Sequence, residues 1–147
     1  MRGTGEILRD FTRGYTLAFL VTAVLFGSFE AVFGWGMGAI GGLIPVVIGS
    51  NRAAERYAAS RHRVPDAAEA WYLAGEMAAI AVAVTIVVTG AVVVPMALFG
   101  GMGRTFVDVL AALAPGALLA SAAAGGGVAL GVVRIALPMQ VKAALER

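Results

Sequence analysis

The chain has 147 residues, of which 60% are hydrophobic and only 14% charged, with a net charge of +2 and a mean hydropathy of +0.88. A soluble domain of this length needs more polar surface, so the composition points to one unit built in a bilayer. The absence of cysteine excludes disulfides, thiolate metal sites and thiol catalysis, and a single histidine, His62, leaves no histidine-built metal centre.

Four apolar runs invite comparison with a hydrocarbon core roughly 30 Å thick, which takes about 20 helical residues. The first covers 15–33, and no A-x-A-like cleavage site follows it, so it is expected to stay as a crossing and not to be removed as a signal peptide. The second covers 34–50. It is expected to continue as helix through "NRAAERYAASRHR" to about 62, because Ala, Arg and Glu are good helix formers, and to stop before Pro65, which holds Val64 away from the helical region. A third helix, 66–99, opens on "DAAE", where Asp66 and Glu69 have the spacing of a capping box, and Trp71 and Tyr72 follow as an interfacial aromatic pair. The fourth covers 109–137. Pro95 and Pro115 predict a tilt, a kink or a short interfacial piece in the last two.

Basic residues set the expected orientation. Arg2, Arg9 and Arg13 precede the first run, Arg52, Arg56, Arg61 and Arg63 lie between the second and third, and Arg134, Lys142 and Arg147 end the chain; Arg104 alone falls on the other side. This asymmetry predicts an all-α integral membrane protein with four transmembrane helices, both termini in the cytoplasm, and a cytoplasmic helical hairpin between helices two and three. The same placement explains the basic pI of about 9.5 without nucleic acid as a partner.

Charges inside or beside the apolar runs are the candidate functional residues. Glu30 lies about one helical turn, roughly 5 Å, inside the outer end of the first crossing, at a depth where a carboxylate stays hydrated. It serves there as a boundary residue, handles an ion, or pairs with Arg104, for which Asp108 competes through its spacing of four. Glu76 and Arg134 lie at the inner ends of the third and fourth crossings, where they either form an intramembrane ion pair or snorkel to the interface. No Ser, His and acid set, phosphate-binding glycine loop or metal motif accompanies them, so no enzyme, cofactor or metal site is expected.

Small residues suggest contact between helices. Gly34, Gly38 and Gly42 recur every four residues, and Ala120, Ala124, Gly127 and Gly131 form a comparable set on the fourth helix. The stretch "RHRVPDAAEAWYLAG", with Arg63, Pro65, Asp66 and Glu69, resembles the middle loop of a family of small four-helix bacterial inner-membrane proteins with no assigned activity. The resemblance implies architecture and bacterial origin. The expected function is association in the lipid bilayer, with another membrane protein or with a second copy. The alternative is a small transporter or channel with a path lined by Glu30, Glu76 and Arg134.

Overall fold

A computed structural model describes the backbone of residues 4–33, 38–99 and 115–147, and side chains over 4–26, 42–91 and 123–147. Among these residues the chain is all-helical, with no strand: α1 spans Thr4–Phe33, α2 Gly38–Arg61, α3 Ala67–Phe99 and α4 Pro115–Leu145.

α1 begins well before the expected start at 15 because its N-terminal turns carry their own packing stripe. Ile7, Phe11, Tyr15, Ala18 and Thr22 are buried at steps of three and four, the spacing of one helix face. α2 runs on to Arg61, as its composition predicts. Its end is marked by His62, whose N–H donates to the Ala58 carbonyl at 3.0 Å and whose φ of 52° is left-handed, a conformation costly for any residue but glycine. α3 then starts on its cap: Asp66 Oδ1 accepts the Glu69 N–H at 2.8 Å. Pro115 is the first residue of α4, a position that needs no N–H, so it opens the helix instead of kinking it. α4 passes its expected end at 137 because Ala129, Val133, Leu137 and Val141, four apart, continue one buried stripe. Pro138 lies inside that helix and has no N–H to offer the Arg134 carbonyl.

Four pairs of helices pack, α1 on α2, α2 on α4, α4 on α3 and α3 on α1, which closes a ring in the order 1-2-4-3. Among the described side chains the buried core lies where α1 begins, α2 ends, α3 begins and α4 ends, here called the charged end. Its small residues are alanines: Ala53, Ala54 and Ala58 on α2 and Ala70, Ala74, Ala78 and Ala81 on α3. They let backbones approach, while Ile7, Phe11, Tyr57, Met77 and Leu137 fill the space between. Hydroxyls in this region bond locally: Ser50 donates to the Val46 carbonyl at 2.7 Å and Thr85 to the Ala81 carbonyl at 2.8 Å. The Tyr15 hydroxyl meets Thr85 Oγ1 at 2.9 Å and ties α1 to α3.

Many large apolar side chains are exposed on the described surface. Leu17 and Ile135 are each 68% exposed, and Val24, Leu25, Ile86 and Val87 stand out beside them. Two helical stretches, Ala67–Ala91 and Ala123–Leu145, are long and apolar enough to cross a membrane.

Candidate functional site

Among the described residues, two glycines let α1 and α2 approach closely along a seam. A methyl group placed on Gly14 would lie 3.0 Å from Arg52 Cγ, and one placed on Gly49 would lie 3.0 Å from Phe11 Cε2 and 3.1 Å from Tyr15 Cβ. The Phe11, Tyr15 and Phe19 rings stack in sequence beside this seam, with centroids 5.7 and 5.9 Å apart. Tight contact at the seam leaves a cleft of about 720 Å³ along one flank of the helix pair. Asp10, Arg13, Glu55 and Arg56 line it toward the charged end, and Leu17, Val21 and Ile48 line it toward the apolar body.

The cleft's charges are unevenly paired. Arg56 forms an ion pair with Glu6 and lies 3.7 Å from Asp10 Oδ2 through its Nε, which is buried without a hydrogen bond. Glu55 accepts a hydrogen bond from Asn51 at 3.2 Å. Arg13 and Arg52 are exposed and have no ion pair among the described residues. The arrangement sets the guanidiniums of Arg13, Arg52 and Arg56 beside the carboxylates of Asp10 and Glu55.

A second polar cluster braces the turn between α2 and α3. Arg63 pairs with Glu69 at 2.8 Å, and the buried Tyr57 hydroxyl donates to the same carboxylate at 2.7 Å. Burial, reinforced by the Glu69 hydrogen bond, pushes the Tyr57 hydroxyl up to about 12. The expected capping box is therefore half made. Asp66 caps the helix, but the Glu69 side chain serves Tyr57 and Arg63 instead of reaching back to the Asp66 N–H.

The expected ion pair between Glu76 and Arg134 is not among the ion pairs of the described residues. The Arg134 guanidinium lies 5.3 Å from the centroid of the Trp71 ring, on which it stacks as a cation–π pair. Trp71 lies five residues before Glu76, about 7.5 Å nearer the start of α3. The glycine stripes also behave differently from expectation within one chain. Among the described residues a methyl group on Gly42, Gly127 or Gly131 would meet nothing within 4 Å, and the packed small positions are the alanines of the core with Gly14, Gly49 and Gly126. Gly34, Arg104 and Asp108 lie outside the described residues, as do the side chains of Glu30 and the position of Gly38 relative to its neighbours.

Reasoning from sequence missed the α1–α2 cleft. Its signal was present in Gly14 beside Arg13 and Gly49 near Arg52, but single glycines carry no periodicity to draw the eye. No family model, curated protein or solved structure matches this chain.

Proposed function

We propose that the protein is a non-enzymatic, four-span component of a bacterial inner (plasma) membrane that works by association, as an accessory subunit of a larger membrane assembly or as a homo-oligomer. In this reading both termini and the α2–α3 turn face the cytoplasm. The observation that carries it is the set of open glycines: among the described residues, Gly42, Gly127 and Gly131 meet no neighbour within 4 Å, which suits their backbones to close approach by another transmembrane helix. Helix length supports the membrane setting. α3 and α4 have 33 and 31 residues, about 50 and 46 Å at the helical rise, which exceeds a hydrocarbon core of roughly 30 Å and leaves a surplus for the charged end to stand in water. Exposed Leu17, Ile86, Val87 and Ile135 are at home against acyl chains and costly in water.

Purification of the full chain from its native membrane in mild detergent, followed by mass spectrometry of the intact particle, tests the reading. A stoichiometric partner or a defined homo-oligomer is expected. A monomer without partner that conducts ions or solutes in liposomes would overturn it and favour a path through Glu30, Glu76 and Arg134.

A further inference from the structure

We propose that the cleft between α1 and α2 binds the headgroup of an anionic phospholipid, with Arg13 and Arg52 on the phosphate and the acyl chains lying along Leu17, Val21 and Ile48. The inference rests on the membrane setting proposed above, since it takes the ligand from the leaflet at the charged end.

The geometry of the seam supplies the argument. Contacts pair Glu6 with Arg56, Gly14 with Arg52 and Phe11 with Gly49, so α1 and α2 run antiparallel along the cleft. On α1, Leu17 and Val21 lie about 6 and 12 Å from Arg13 along the axis; on α2, Ile48 lies about 6 Å from Arg52 in the same direction. Both walls therefore change from cationic to apolar at the same level, which is the profile of a phospholipid at its headgroup. Exposed apolar side chains continue the cleft toward the body of the bundle and give acyl chains a surface to follow.

Charge decides the class of headgroup. Arg56 is held by Glu6 and Asp10, which leaves Arg13 and Arg52 as the cations at the cleft without an ion pair among the described residues; the Arg52 stem packs at the seam beside Gly14, and both arginines are exposed. A phosphate diester matches these donors, and headgroup hydroxyls would find acceptors in Asp10 and Glu55. At about 720 Å³ the cleft is of small-molecule size, enough for a headgroup and the first part of its chains.

The test uses the full chain, delipidated in neutral detergent and titrated with phosphatidylglycerol, phosphatidylcholine or inorganic phosphate while lipid-bound species are counted by native mass spectrometry. Retention of phosphatidylglycerol over phosphatidylcholine is expected. Arg13→Gln with Arg52→Gln should weaken it about thirtyfold, the summed effect of two guanidiniums beside an anionic surface, and Arg61→Gln, which is away from the cleft, should leave it unchanged. If the double variant does not hold its fold, Arg13→Gln alone should weaken retention about fivefold. Equal retention of the two lipids, no loss in the arginine variants, or saturation by phosphate at the same site would each overturn the lipid assignment. Carbonate washing of cell membranes separates the two proposals: release of the chain sinks the membrane reading, whereas a chain that stays but shows no lipid preference sinks only the cleft.

Discussion

Tyr57 is 1% exposed beneath the α2–α3 turn, and its hydroxyl proton is held between burial and the Glu69 carboxylate. Both favour the neutral phenol, which raises its titration from the ordinary 10.0 to about 12. A raised value for this acid means that the folded chain keeps a proton the unfolded chain gives up between those limits. The stabilisation is fully present below pH 10.0 and is lost as pH climbs toward about 12. Thermal melting of the detergent-solubilised chain at about pH 9 and about pH 11 should therefore show a larger fall for the natural chain than for Tyr57→Phe, which has no phenol to ionise. Identical falls would show that Tyr57 titrates as it does in the unfolded chain. Residues of this kind were only half legible in the sequence. "DAAE" announces a helix start because capping is local, but which partner Glu69 takes depends on Tyr57, twelve positions away on another helix. Arg134 teaches the same lesson: its charge left an ion pair with Glu76 and snorkelling both open, and the Trp71 face that the guanidinium covers depends on the packing of α4 against α3.

At the scale of elements, helix identity and the ends of α2 and α3 follow from Pro65, Asp66 and an Ala-, Arg- and Glu-rich surface. The early start of α1 does not, because Ile7 and Phe11 are isolated among Glu6, Arg9, Asp10 and Arg13 and any averaged hydropathy hides them. Small residues need a further distinction that spacing alone cannot make. Gly126 and Gly127 are adjacent on α4, yet a side chain on the first would press to 3.2 Å from Val82 Cγ2 on α3, whereas the second has open space. Gly126→Leu should then lower the melting temperature of the isolated chain, with a cost of about 1–3 kcal/mol for overpacking. Gly127→Leu should leave that temperature close to the natural one and instead weaken association, read as the loss of partner or oligomer on native purification. Equal destabilisation of the isolated chain by both would place Gly127 in an intramolecular contact.

At the scale of the molecule, the core, ion pairs and cap of the described residues lie at the charged end, and large apolar side chains are exposed along the helices beyond it. The basic residues gather there too, which is the basis of the proposed orientation. A chain without native cysteine allows it to be tested site by site. Cysteines replacing Ser60 or Gln140 should be protected from an impermeant thiol reagent in intact cells, and one replacing Gly101 should react; labelling at Ser60 before lysis would reverse the layout. The stacking of Arg134 on Trp71 has a practical consequence of its own. The chain has two tryptophans, Trp35 and Trp71. With Trp35 replaced, a single indole remains, carried by α3 and covered by a cation from α4. Its fluorescence becomes a built-in optical gauge of how those two helices sit against each other, readable in detergent, in vesicles and while a partner binds, with no dye attached.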